Sequence, residues 1–413
     1  MAEQGHWFRG FRWSAPATAF TAILQLALVG VLARLLSPAD FALVALAGVA
    51  VNILLQLQVA GINAAIIQRE ENTPLALHSL FWFNMSLGVA LCLAAGLAGE
   101  GLAAYYHRPE LAPVTRLYAL ALLVQGISVQ FKSLLQKHLH FEVLSWGEML
   151  GGIAGFIAAL AVAFYQAGPW ALVAGYLARY LAEGGWVVWR GWSIFRPAWR
   201  FDWTSLRPYL DFGSRHWAER LATLALAQLD VLLVGHFLGL EVLGRYDVVK
   251  RLLLRPAGLL ATAIEKVAFP VFSSSQRQPG ELRASYYGML RLSLSLLFPV
   301  YALLFALAPF VLRLYAGPGW EEAAPLFRVM CLWGVCQVFL HPVDNLLLAT
   351  GRIHWWFWMA FAQAPLWWLA LAWGSAYGVN TAIGMLVVLQ AILVIITYWK
   401  IIIPLLHQSK GRP

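Results

Sequence analysis

The chain has 413 residues, of which 61% are hydrophobic and only 12% charged, with a formal net charge of +9. Soluble domains carry about 25% charged residues, and a surface this apolar would exceed the patches that monomers tolerate. Its richness in Leu, Val and Trp excludes intrinsic disorder, so the composition points to a polytopic membrane protein.

Polar punctuation separates twelve apolar runs, at about 14–36, 41–66, 77–99, 113–133, 143–165, 169–190, 213–237, 242–270, 286–311, 325–349, 355–374 and 378–399. A membrane helix needs about 20 residues, which these runs supply. The alternation expected of a membrane barrel is absent. The first run is too long for a signal-peptide core and lacks a cleavage site, so it reads as a retained helix. With the N-terminus inside, internal segments hold 15 of the 29 Lys and Arg. External segments hold 5, namely Arg34, Arg108, Arg116, Arg245 and Arg313, and the spans hold the rest. The excess predicts that both termini are cytoplasmic.

The expected fold is all-α, with about 12 transmembrane helices split six and six. The lobes are placed at 1–190 and 213–413, joined by a cytoplasmic interfacial connector at 191–212. The connector region reads RGWSIFRPAWRFDWTSLR, with four Arg and three Trp suited to anionic headgroups. A weak repeat relates LLSPADFALVAL at 35–46 to FLGLEVLGRYDV at 237–248. Even span numbers in each half place the symmetry axis along the membrane normal. The longest external loop is expected at Glu100–Ala112. Pro299, Pro309, Pro342 and Pro365 are read as kinks within spans. The tryptophans at 355, 356, 358, 367, 368 and 373 read first as an interfacial belt, and second as stacking surfaces for sugar rings.

Cys92, Cys331 and Cys336 lie in apolar runs, so no disulfide framework is expected. The histidines are dispersed, and no cofactor or metal site is expected. Neither a nucleotide-binding loop nor a catalytic constellation emerges, so no enzyme activity is expected.

VLARLLSPADFALVALA at 31–47, AGINAAIIQRE at 60–70 and HSLFWFNMSLGVAL at 78–91 resemble bacterial polysaccharide exporters of the Wzx/WzxC type. So do FKSLLQKHLHFEVLSWGEML at 131–150, LDVLLVGHFLGLEVLGRYDVVKRLLLRP at 229–256 and VAFPVFSSSQ at 267–276. These exporters belong to the multidrug/oligosaccharidyl-lipid/polysaccharide flippase superfamily. The resemblance implies an inner-membrane flippase of undecaprenyl-pyrophosphate-linked oligosaccharide, MATE-like, with two six-helix lobes around a central cavity, that works by alternating access. Its implied partners are the lipid-linked substrate, membrane lipids and a polysaccharide polymerase or other export machinery, with no nucleic acid.

Charges inside membrane spans are functional hypotheses by default. Here they crowd the seventh and eighth spans, as Arg215, Glu219, Arg220, Asp230, Lys250, Arg251, Arg255, Glu265 and Lys266. Arg215 and Glu219 are spaced to pair on one helix face. By depth, Asp230 can balance Lys250 or Arg251, or else couple transport to an ion gradient, and Glu265 matches Arg220. Arg255 is left without an acidic partner. Its forked donors suit a pyrophosphate, with Arg251, Lys250 and Arg220 assisting. Arg179, mid-span in the sixth run, is a further lone cation and a secondary cavity candidate. The alternatives are a multidrug or cation antiporter, which the basic excess of the cluster disfavours, and a membrane glycan polymerase or ligase.

Overall fold

The computed structural model describes residues 2–59, 66–67, 69, 72–166, 168–210, 224–226, 228–254, 258, 272, 279–350 and 354–407. Its described regular structure is helical throughout. The chain forms two compact units, Met1–Leu232 and Leu233–Pro413.

The first unit contains α1 (Ala2–Ala33), α2 (Pro38–Val59), α3 (Pro74–Tyr106), α4 (Leu111–Lys137), α5 (Phe141–Tyr165) and α6 (Pro169–Gly191). A short helix, α7, follows at 203–210. The helix starts are written into the sequence. Ser37 and Asp40 form a reciprocal capping box at α2, with Ser37 N–H donating to Asp40 Oδ2 at 2.9 Å and Asp40 N–H to Ser37 Oγ at 3.3 Å. Thr73 caps α3 by accepting from Ala76 N–H, and Pro74 follows where its missing N–H costs nothing. The stretch expected to be the longest external loop is mostly helical, because α3 continues to Tyr106 and α4 resumes at Leu111. Only 107–110 lies between them, with His107 in the left-handed region at φ 54° closing α3.

The connector packs onto this unit. Phe195, Leu206 and Tyr209 join Phe81, Phe131 and Leu135 in one buried cluster. Trp82 Nε1–H donates to the Ala198 carbonyl at 2.9 Å, and its ring stacks on Trp199 with centroids 4.0 Å apart. Asp202 N–H donates to Ser79 Oγ at 2.8 Å. The outer face keeps Phe201 and Trp203 exposed and leaves Trp199 87% accessible. That two-sidedness is what an interfacial segment requires.

The second unit contains the rest of α8 (Leu229–Leu238), α9 at 240–254, α10 (Pro279–Ala306), α11 (Ala308–Ala316), α12 (Ala324–Ala349), α13 (His354–Gly374) and α14 (Val379–Thr397). α14 passes through a wide π turn, Tyr398–Ile402, into α15 (Ile403–His407). Pro299, Pro342 and Pro365 lie inside helices as expected. Pro309 does not, because it occupies the first turn of α11, where proline is tolerated. Tyr286 hydroxyl donates to Tyr398 hydroxyl at 2.9 Å, and Tyr398 donates to the Phe339 carbonyl at 3.0 Å, which fastens the π turn to α10 and α12. Eight described helices are long and apolar enough to cross a membrane.

Candidate substrate cavity in the first unit

α5 and α6 meet along a seam of small residues. Gly147, Gly151, Gly155 and Ala159 recur every fourth residue on α5, which lets the α6 backbone approach closely. A Cβ on Gly155 would stand 2.7 Å from the Gly175 carbonyl oxygen, and one on Gly151 would stand 2.9 Å from that of Arg179. The seam thereby fixes the α6 face that carries Arg179, Tyr180 and Glu183.

That face lines a cavity of about 480 Å³. α2 contributes Asn52 and Gln56, α4 contributes Gln125 and Lys132, and Gln228 completes the polar lining. Lys132 Nζ donates to Glu183 Oε1 at 2.6 Å, an ion pair between α4 and α6 that is mostly buried. Gln125 Nε2–H donates to the Leu55 carbonyl at 2.7 Å, holding α4 against α2. Tyr118 hydroxyl donates to Asn52 Oδ1 at 3.1 Å and its ring stacks on Tyr176 at 4.9 Å. Among the described residues the Arg179 guanidinium makes no hydrogen bond or ion pair, while Lys132 and Glu183 neutralise each other. The described lining thus carries one net positive charge set among amides and a phenol. A guanidinium so placed offers a fork of donors to a phosphate or carboxylate, and the amides suit hydroxyl groups.

Of the residues singled out from sequence, Arg255, Arg220, Arg215, Glu219, Glu265 and Lys266 lie outside the described residues. Asp230 is buried in the first turn of α8. Arg251 Nε–H donates to Asp247 Oδ2 at 2.7 Å, one helical turn away on α9. Lys250 Nζ lies 5.8 Å from the centre of the Tyr246 ring. Asp247 was missed in the sequence because it stood outside the depth matching, although its i,i+4 spacing to Arg251 is a legible signal. Lys132 and Glu183 were also missed. Glu183 stands four residues after Arg179, a spacing that marks a shared face, whereas its bond to Lys132 spans 51 residues and is not written locally.

Residues 31–325 match the family model described as "Polysaccharide biosynthesis protein". The chain belongs to this family. It is 29% identical over 402 residues to the lipopolysaccharide biosynthesis protein WzxC of Escherichia coli strain K12, covering 97% of this chain and 82% of that one. Among solved structures, the lipid II flippase MurJ in an inward closed conformation superposes with a TM-score of 0.74 at 12% identity, over 95% of this chain and 88% of that one. An inward-facing multidrug resistance MATE transporter superposes with a TM-score of 0.71 at 15% identity, over 95% and 96%. These likenesses establish a MATE-like helical transporter fold for this polysaccharide-family chain, a multi-pass membrane protein.

Proposed function

We propose that the protein translocates a polyprenyl-pyrophosphate-linked oligosaccharide across the bacterial inner membrane by alternating access, for surface polysaccharide synthesis. Arg179 carries this reading: a cation with no described partner, set in a cavity otherwise lined by amides, a tyrosine and a neutralised ion pair. Arg179 engages the anionic linkage, and Asn52, Gln56, Gln125 and Gln228 face sugar hydroxyls. The names of WzxC and of the lipid II flippase MurJ agree with a lipid-linked saccharide substrate. From sequence, Arg255, Lys250 and Arg220 are also proposed as contacts for such an anion, with Asp230, Arg215, Glu219 and Glu265 as ion-pair or coupling partners, while Arg251, proposed with them, is held by Asp247. A polysaccharide polymerase is the proposed downstream partner, and the protein itself catalyses no bond change. The superposed MATE transporter raises drug efflux as the second reading, but the net positive charge of the described lining disfavours cationic drugs.

The test is a deletion strain complemented with wild type or Arg179→Ala at equal protein levels. Wild type should restore surface polysaccharide, while the variant should leave lipid-linked oligosaccharide on the cytoplasmic leaflet. Restored export by the variant would reject Arg179 as the anion contact. A deletion strain that loses drug resistance and keeps its polysaccharide would reject the flippase reading.

A further inference from the structure

The connector after α6 is basic and aromatic, and it takes no part in lining the cavity of the first unit. Its inner face is committed to the helix ends. Beside the Trp82 and Ser79 hydrogen bonds, Ala198 N–H donates to His78 Nδ1 at 3.2 Å, and the His78 and Phe195 rings lie 5.4 Å apart. The outer face exposes Trp192, Trp199 and Trp203, and interleaved with them Arg196, Arg200 and Arg207. At the end of α6, Arg190 lies over the rings of Trp186 and Trp189, 5.7 and 5.8 Å from their centres, so cation and aromatics share one surface. Asp202 is the single acidic residue between Arg190 and Arg207, and the Ser205 and Thr204 hydroxyls occupy it. Four arginines against one engaged carboxylate leave this segment at +3.

The depth of this surface follows from α3. Pro74–Tyr106 has 33 residues, about 50 Å at 1.5 Å per residue. A hydrocarbon core is about 30 Å thick, so about 20 Å of the helix stands outside it, about 10 Å at each end. Trp82 is eight residues from Pro74, about 12 Å along the axis. The stack of Trp82 on Trp199 therefore lies where hydrocarbon meets headgroups. His78 and Ser79 stand nearer the helix end, within the headgroup layer, and the connector backbone is bonded to both. Tryptophan favours that boundary, and arginines beside it meet lipid phosphates. A second copy of this chain would bring the same positive charge against the face, and a soluble partner would have to displace the bilayer from its tryptophans.

We propose that the outer face of the connector is a binding surface for anionic phospholipids of the cytoplasmic leaflet. The tryptophans seat at the hydrocarbon boundary, and Arg190, Arg196, Arg200 and Arg207 engage phosphate groups. Bound lipid holds the connector against α3. It thereby clamps the ends of α3, α4 and α6, because Phe195 is buried in one cluster with Phe81, Phe131 and Val187. Each arginine strengthens attachment to such a surface about fivefold. The surface is independent of the flippase reading and takes lipid that is not the transported substrate.

Hydrogen exchange on the full chain in lipid nanodiscs tests the proposal, comparing pure phosphatidylcholine with phosphatidylcholine containing phosphatidylglycerol. Amides of 192–206 should exchange several-fold more slowly in the anionic discs, and raised salt should remove the difference. The double variant Arg196→Gln with Arg200→Gln should weaken the phosphatidylglycerol effect about 25-fold, with exchange in α5 unchanged as the sign of an intact fold. Equal exchange in the two kinds of disc, or an undiminished difference in the double variant, would overturn the proposal. So would inorganic pyrophosphate that gave the same protection in phosphatidylcholine discs, because the face would then take a free anion and not a lipid surface. If the double variant does not fold, the salt dependence of the wild type decides, and a difference that survives raised salt counts against it. No lipid-linked oligosaccharide is present in these discs, so failure of the flippase reading leaves the result unchanged.

Discussion

The Lys132–Glu183 pair joins two helices, whereas the Arg251–Asp247 pair joins two turns of one. Both consist of a basic and an acidic side chain less than 3 Å apart, yet they do different structural work. The first holds α4 against α6 and sets the width of a cavity. The second neutralises a carboxylate locally and leaves helix positions to packing. The contrast teaches that a charge pair organises a cavity wall only when its partners come from different elements. An i,i+4 pair is largely a property of its own helix.

The sharpest way to break the first arrangement is to force its helices apart. Gly155→Leu drives a side chain into the Gly175 carbonyl and should cost about 3 kcal/mol or more, the upper end of overpacking penalties. A large drop in melting temperature in detergent, with loss of transport, checks this. Lys132→Ala comes next. It strands a mostly buried carboxylate, and partial solvent screening places the cost near 2 kcal/mol, between the exposed and buried limits. Hydrogen exchange should rise in both α4 and α6, and the double variant with Glu183→Gln should recover part of the loss. Arg251→Ala should cost about 1 kcal/mol, with faster exchange confined to α9. Increased exchange in a distant helix would erase the distinction between the two pairs.

The smallest effect is in the connector. Asp202 accepts hydrogen bonds from the Ser205 and Thr204 side chains and from their backbone amides. The Ser205 and Thr204 hydroxyls, then those amides, hold its carboxyl down to about 2, against an ordinary value of about 3.9. In the window between these values the unfolded chain binds more protons, so stability rises with pH. The capping contribution is complete above about pH 4 and disappears as pH falls through about 2. Asp202→Ala should remove that pH dependence from the melting curve, along with a small part of the stability at neutral pH.

Much of the helical layout was legible. Expected spans at 143–165 and 325–349 meet helices Phe141–Tyr165 and Ala324–Ala349, because apolar runs bounded by polar residues report membrane helices directly. The Glu100–Ala112 stretch misled because Glu100 and His107 look like loop residues. Glu100 instead pairs with Arg116 on the neighbouring helix, so a charged side chain is carried within a continuous helix. Arg179 could be singled out as a lone mid-span cation, but not its surroundings. The glycine seam, Lys132 and the Thr21–Glu148 contact join residues up to 127 positions apart. Charge depth along single spans sees one coordinate of position, and a cavity needs all three.

The π turn at Tyr398–Ile402 sets the register of the last described helix. A π turn is an α-helix that has accepted one extra residue, so side chains beyond it are rotated by about 100° from the register before it. Tyr398 anchors the turn through Tyr286 and Phe339, which makes the extra residue part of the architecture. Deleting one residue between 398 and 402 restores a regular helix while turning Ile403 and Leu406 onto new faces. The extra residue therefore decides which side chains the end of this helix presents to its neighbours.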